Sequence, residues 1–545
     1  MTGAGTLLVT TLAVPVGMLV ACLWRRVRDR MPALLALAPV PGLAAALLAA
    51  DSPPMVLDEA RLQLTLALDR PGAMLLGVAA LLWIAAGIHA STWLRGKPNG
   101  GRFSVWWLLS LTGSLGVFFA ADMASFYVTF GLASLAAWGL VIHDGTPGTL
   151  RAGAIYLGLA VLGEICLLMA FALLAAATPG SSLAIRDAMA MLPASPWRDA
   201  TLAFLIVGFG LKVGLVPLHV WLPLAYAAAP IPAAAVVSGA ISKAGVIGLL
   251  RFLPVDAALP DWGVALATVG LLSALYGVAI GITQANPKTV LAYSSVSQMG
   301  FVAAVLGMAL AAGDGGASTG VAFYAAHHVL AKGALFLAVG VVAASGVRRL
   351  WPVLLPAAVL ALGFGGLPLT GGGLAKLAVK APLGEGVVGL LATLAAAGSA
   401  LLMLHFLNRL TLTAAPDPDA TPPAGLAWPW LAMAFVAVAI PWALFLAAGI
   451  GTLAEVLAPA DLWNGLWPVL LGAVLAVGLR RFGHRLPRVP EGDVVVLSER
   501  LTRASAAWGA SLERAEGVLR QWSVAGVALL ALVMILGAAI LGQVQ

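Results

Sequence analysis

Sixteen apolar runs, each close to twenty residues, follow one another along this chain with only short polar connections between them. A helix needs about 20 residues to cross the hydrocarbon core of a bilayer. The runs fall at about 5–24, 31–50, 72–94, 103–120, 122–143, 151–176, 200–222, 232–253, 261–284, 288–312, 317–344, 350–383, 386–412, 428–452, 463–481 and 522–542. They are apolar on all sides, without the two-residue alternation of a membrane β-barrel. Charged residues make up 10% of the chain, against roughly 25% in soluble domains. The expected fold class is therefore an all-α polytopic membrane protein of about 14–16 transmembrane helices.

The connections orient the spans. Arg25 to Arg30, Arg95, Lys97, Arg102, Arg151, Lys288, Arg348, Arg349 and the arginines from Arg480 to Arg488 fall on one side of the count. Acidic residues such as Asp51, Asp256, Asp314, Glu385 and Asp461 dominate the other. The positive-inside rule then places both termini outside and the basic loops in the cytoplasm. The net charge of +7 reflects those loops, so no nucleic-acid partner is expected. One loop disagrees: 413–427 belongs on the basic side yet carries Asp417 and Asp419 and no basic residue. The first run lacks a preceding basic region and is expected to stay as a span rather than to be cleaved as a signal peptide. From Ser498 to Arg520, charged residues alternate with Leu, Ala and Trp at helical spacing, which predicts an amphipathic helix on the cytoplasmic surface over about 491–520.

The spans hold residues that lipid does not tolerate. Lys212 and Lys243 each lie mid-run, at roughly 2.5–3.5 kcal/mol apiece on insertion scales. Between them stands Pro217-Leu-His219-Val-Trp-Leu-Pro223, which must break the helix. The twelfth run breaks at Gly365-Gly-Leu-Pro368, followed by three glycines and then Lys376 and Lys380. Broken backbone at membrane depth has to be buried in protein or line a wet cavity. Glu164, His327, His328, Lys332 and His405 complete the intramembrane titratable set. His328 and Lys332, four apart, share a helix face. Lys212 and Lys376, and likewise Lys243 and His405, are offset by about 160 residues, or five spans, and an odd number of spans inverts topology, so two inverted five-helix repeats with broken helices 7 and 12 are expected. The corresponding segments are 1–102 (N-terminal helices), 103–253 and 261–412 (the two half-channels) and 413–545 (C-terminal helices with the amphipathic segment). Only two cysteines are present, too few for an iron–sulfur cluster. No metal site, nucleotide motif or cofactor site is expected, and no catalytic residue.

The stretch Lys212-(x4)-Pro-Leu-His-Val-Trp-Leu-Pro with Lys243 and Leu249-Leu-Arg-Phe252 resembles the proton-translocating antiporter-like subunits of respiratory complex I, of membrane-bound hydrogenase and formate hydrogenlyase complexes, and of multisubunit cation/proton antiporters. Lys288-Thr-Val-Leu-Ala-Tyr-Ser-Ser-Val-Ser-Gln-Met-Gly300, His328-(x3)-Lys332-(x2)-Leu-Phe and Leu367-Pro-Leu-Thr-Gly with Lys376 carry the same likeness. The resemblance covers roughly residues 70–410, and the C-terminal segment looks like a shortened lateral helix. It implies that Lys212 is the central lysine of a first half-channel, that Lys243 and the His328/Lys332 pair connect it across the midplane, and that Lys376 is the terminal site. His219, Pro217, Pro368 and Lys380 would support this chain. The family's fifth-span glutamate is missing: the aligned pair is Phe130-Gly131. Glu164, one span later, is expected to replace it, within direct or water-bridged reach of Lys212. The function implied is a proton-translocating subunit of a larger energy-converting complex in a bacterial-type inner membrane, with other membrane subunits and a soluble redox or zinc-containing partner. The alternatives are a subunit of a multisubunit Na+/H+ antiporter, the proton-conducting partner of an inorganic-carbon uptake complex, or a non-transporting anchor.

Overall fold

The computed structural model describes residues 3–57, 64–487 and 489–491. The predicted last span and most of the predicted amphipathic segment lie outside them. Twelve helices among the described residues are long and apolar enough to cross a membrane, or thirteen with one bent pair. The N-terminal part runs α1 (Gly3–Ala21), α2 (Arg25–Arg30), α3 (Val40–Leu48), α4 (Arg70–Trp93), α5 (Gly100–Gly116) and α6 (Met123–Val141). The bend, 70°, lies between Arg25–Ala33 and Leu35–Leu48. Next come α7 (Pro147–Ala177), the short α8 (Ile185–Met191), and the broken span α9 (Arg198–Val213) with α10 (Trp221–Ala228). The span after it is α11 (Ile231–Val236), a π-turn (Val237–Ile241) and α12 (Lys243–Phe252). Then follow α13 (Pro260–Gly281), α14 (Pro287–Ala312) and α15 (Ala317–Ala343), and a second broken span made of α16 (Trp351–Gly363), α17 (Gly371–Ala378) and α18 (Lys380–Leu383). The described chain closes with α19 (Val387–Thr411), α20 (Ala424–Ala447), α21 (Leu453–Val456) and α22 (Pro459–Phe482). Each predicted span within the described residues has its helix or broken pair, the seventeen-residue α5 included.

Both breaks fall at the predicted prolines and glycines, and both are repaired the same way. After α9, Gly214 takes φ +82° and the Trp221 indole donates to the freed Leu211 carbonyl at 2.8 Å. After α16, Gly366 takes φ +97°, Trp442 donates to Leu369 O at 3.0 Å, and Thr370 caps α17 by accepting from Gly373 N at 3.2 Å. Unpaired backbone in a membrane costs several kcal/mol per group, so such donors are what make a broken span tolerable. Lys212 stands just before its break and Lys376 just after its own. The two lysines thus fall on opposite sides of their breaks in chain order.

Elsewhere small residues let helices close up. Gly263, Gly270 and Gly277 recur every seventh residue on α13, and a Cβ at Gly270 would lie 2.5 Å from Ala304 N of α14. Without a hydrophobic drive between helices in lipid, backbone approach of this kind supplies the packing. The Arg251 guanidinium closes the end of α5, donating to Val117, Phe118 and Ala120 carbonyls at 3.2, 2.6 and 2.7 Å and pairing with Asp69 at 2.9 Å. The anomalous acidic loop is also accounted for: Arg348 pairs with Asp419 at 2.9 Å, and Gly346 N donates to Ala420 O. The loop takes its positive partner from the neighbouring connection on the same side.

Burial separates an inner from an outer set of spans. The best apolar window of α15 is 100% buried and that of the α11–α12 span 94%, against 22% for α1 and 17% for the last one. Lys243 sits on the α11–α12 span, and His327, His328 and Lys332 sit on α15.

Candidate polar axis through the membrane

Lys212, in the last turn of α9, donates from Nζ to Ser134 Oγ of α6 at 2.8 Å, with the Phe130 ring 5.5 Å away. The buried Glu164 carboxylate of α7 lies close enough to Lys212 for the two charges to act on one another. No Glu164–Lys212 ion pair closes to within 4.0 Å, and neither Glu164 oxygen has a hydrogen-bond partner among the described residues. Gly131 lies one helical turn before Ser134 on α6, and a Cβ built there would stand 3.5 Å from Glu164 Oε2. The glutamate of α7 thus reaches across to the spot that a side chain at position 131 would fill.

Beyond Lys212 the groups continue inward. Gly245 of α12 packs so closely that its Cβ would be 3.0 Å from Lys212 Cβ. Tyr156 donates to Ser134 O at 2.6 Å and packs on Trp221, whose ring in turn packs on Tyr226. Tyr226 faces Ser238 and Ser242. Lys243, fully buried, donates to Ser238 O at 3.2 Å and Ser242 Oγ at 3.0 Å. Its position follows directly on the π-turn, a distortion frequent at functional sites. The Ser238 carbonyl in that turn accepts from both the ammonium and the Ser242 hydroxyl.

On α15 the two adjacent histidines diverge. His328 faces Lys243 and Lys332, while His327 faces Lys376. Both rings lie 5.6 Å from Phe364, at the second break. Lys332 donates to Leu291 O at 2.8 Å and sits 4.9 Å from the same phenyl ring. Lys376 lies 5.6 Å from the Phe301 ring, its stem against Gly366, where a Cβ would come within 3.0 Å of Lys376 Cδ. Glycine at 366 both adopts the positive φ and leaves room for that stem. Pro368 belongs to the break itself. His219 is fully buried beside Tyr276 and Tyr293.

Two residues read from the sequence stand apart from the buried series. Lys380 begins α18 instead of continuing α17, so it turns outward, is 55% exposed and pairs with Asp461 at 3.1 Å. His405 is half-buried and bonds Gln284 O at 2.8 Å, at the edge of a cavity of ≈ 800 Å³. Sequence reasoning missed Ser134, Tyr156 and a buried Tyr324–Gln298–Ser399 triad, in which Tyr324 donates to Gln298 Oε1 and Gln298 Nε2 to Ser399 Oγ at 2.9 Å. It also missed His89, fully buried on α4 against Gly340 and away from the axis. Serine and tyrosine carry no insertion penalty large enough to announce them; spacing from Gly131 was the one signal for Ser134.

Residues 120–402 match the family model described as NADH:quinone oxidoreductase/Mrp antiporter, TM. The match takes in the axis from Gly131 to Lys376 and leaves out His405, α20 and α22. Hydrogenase-4 component B of Escherichia coli (strain K12) is 30% identical over 296 residues, covering 51% of this chain and 43% of that protein. NADH-quinone oxidoreductase subunit N of Cereibacter sphaeroides is 32% identical over 375 residues, covering 67% of this chain and 80% of the relative. The chain thus spans less than half the length of the first of these. Among solved structures, a chain of the Mrp complex from Dietzia sp. DQ12-45-1b superimposes with a TM-score of 0.79 at 22% identity, over 100% of this chain and 63% of that one.

Proposed function

Since this chain belongs to the NADH:quinone oxidoreductase/Mrp antiporter transmembrane family, we propose that it is the proton-carrying antiporter-like subunit of a larger energy-converting complex. The observation that carries the reading is the series Glu164, Lys212, Lys243, His328, Lys332 and His327, all buried, with the partly buried Lys376 at its end, which crosses from one broken span to the other. Intramembrane ionisable residues are costly and are retained where ions or protons move. A series with a single carboxylate among four lysines is ill suited to static charge pairing. It suits sequential occupancy, in which a proton arriving at one ammonium displaces the next.

In this proposal the two halves, 103–253 and 261–412, are half-channels. Glu164 takes the place of the absent fifth-span glutamate: drawing the carboxylate toward or away from Lys212 loads or unloads that lysine. Lys243 with His328 and Lys332 passes the charge across the middle, and Lys376 is the terminal site. Nothing in the axis yields energy, so the drive is assigned to partner subunits, a redox module among them. Purification through a tag on this chain should bring down further membrane subunits together with a redox-active soluble module. Recovery of cation/proton antiporter subunits alone would overturn the driven-complex reading in favour of secondary antiport.

The proposed location is a bacterial-type inner membrane with both termini outside, resting on the arginine asymmetry. Arg30→Cys, introduced in a chain whose Cys22 and Cys166 are serine, should be protected from a membrane-impermeant maleimide in intact cells and become labelled in inverted vesicles. Labelling in intact cells would reverse the orientation.

A further inference from the structure

Two cavities open at opposite ends of the same helix pair. The one at the basic-loop face, ≈ 800 Å³, is lined by His405, Asn408 and Arg409 of α19 and by Ala476 and Arg480 of α22. The one at the acidic-loop face, ≈ 390 Å³, is lined by Thr393 and Ala396 of α19, by Asp461 and Pro468 of α22, and by Lys376. Liquid water occupies about 30 Å³ per molecule, so the smaller cavity has room for on the order of ten waters, and its walls carry charged groups to hold them.

The cavities nearly meet. On α19 the acidic-side lining ends at Ala396 and the basic-side lining starts at Leu404; on α22 they end at Pro468 and start at Ala476. Each gap is eight residues (404 − 396 and 476 − 468), about 12 Å of helix at 1.5 Å per residue. Gly472 sits midway. A Cβ there would lie 2.6 Å from Ala400 Cβ and 2.5 Å from Ala397 O, so the two helices are pressed together at that level by having no side chain between them. The buried Gln298–Ser399 hydrogen bond lies at the same level, with Tyr324 behind it stacked on Phe301, the ring nearest Lys376.

From this arrangement we infer that the α19–α22 seam is a gated water route supplying the second half directly from the basic-loop face, with the Gly472–Ala400 contact as its closed gate. The inference rests on the proposed proton-carrying role and extends it. His405 marks the floor of the intake vestibule, and the Lys380–Asp461 pair stands at the opposite mouth. When the helices part at the glycine, Gln298 and Ser399 give water entering the septum the hydrogen-bond partners that an apolar seal would lack. Protons then hop along that water from the His405 side to Lys376. Gln298 and Ser399 act as positioning residues for the water; Lys376 accepts the proton. Neither cavity is lined by Lys212 or by any other residue of α9, so this intake is separate from the Lys212 route.

The test uses the complex purified through this chain and reconstituted in liposomes. Ser399→Ala and Gln298→Leu should each lower driven proton translocation about fivefold, the weight of one buried hydrogen bond. Gly472→Ala, which forces a methyl into the closed contact, should raise the passive proton leak of undriven liposomes. In the serine background, His405→Cys should react with a charged impermeant thiol reagent from the basic-loop face and Lys376→Cys from the opposite face. Wild-type translocation by both septum variants, or reaction of His405→Cys from the acidic-loop face, overturns the intake. If those variants are silent while Lys212→Met abolishes translocation, the intake alone is wrong. If Lys212→Met is silent too, the proton-carrying role itself fails.

Discussion

Glu164→Gln is expected to lower proton translocation more than tenfold while leaving assembly unchanged, and a glutamate moved to position 131 is expected to restore it. The carboxylate and the Lys212 ammonium act on one another without closing an ion pair. At an effective dielectric of about 20 and a separation on the order of 5 Å, removing one charge changes the energy of the other by about 3 kcal/mol. A barrier change of that size is roughly a hundredfold in rate, so a tenfold loss is a lower bound if loading of Lys212 limits transport. Glutamine keeps the shape and hydrogen-bonding capacity of the side chain, which separates the charge from the packing. The relocation is possible because the atoms nearest a Cβ at Gly131 are those of the Glu164 carboxyl group, at 3.5–4.0 Å, with no backbone in the way. Glu164→Ala with Gly131→Glu then puts a carboxylate into the same pocket from α6 instead of α7. Driven translocation in reconstituted liposomes decides it: full activity of Glu164→Gln, or a double variant no better than Glu164→Ala, contradicts the substitution.

Much of this molecule was legible before any coordinates, for a physical reason that also sets where legibility stops. A membrane penalises each polar group and each broken turn, so Lys212, Lys243, Lys332, Lys376 and the two proline–glycine interruptions stand out in the chain itself. The same penalty sets span length, and the helices follow it. Lys380 shows the limit: four residues after Lys376, it reads as the same face of one helix, but α17 ends at Ala378 and the new turn sends Lys380 out to Asp461. The acidic loop at 413–427 looked misplaced because its partner, Arg348, lies 71 residues earlier. Tyr324 and Ser399 gave no sign, since single hydroxyls cost little in a helix interior until three dimensions show what they face. The paired cavities are wholly a product of packing between α19 and α22, and no spacing in the chain foretells them.

Loss of Lys212 is expected to have the largest effect of all. The side chain is buried, with 6% exposed, and its ammonium is held by a serine hydroxyl and a carboxylate that falls short of ion-pair distance. Were its role only structural, the complexes that assemble without it would still carry protons. Replacing two buried charges together by apolar side chains is often neutral, but removing one partner alone strands the other and costs about 3–5 kcal/mol unless that group neutralises. Methionine nearly matches the lysine stem, and Ser134 keeps its other neighbours. Lys212→Met, with Glu164 free to take up a proton, should therefore still assemble with a lowered melting temperature that Glu164→Gln in the same chain recovers, yet carry no protons, because the first site able to take one up beside Glu164 is gone. The measurement is driven proton translocation by the reconstituted complex carrying Lys212→Met, run beside the wild type in liposomes of equal protein content. The account predicts an intact complex with translocation reduced to the passive leak; translocation at the wild-type rate would contradict it.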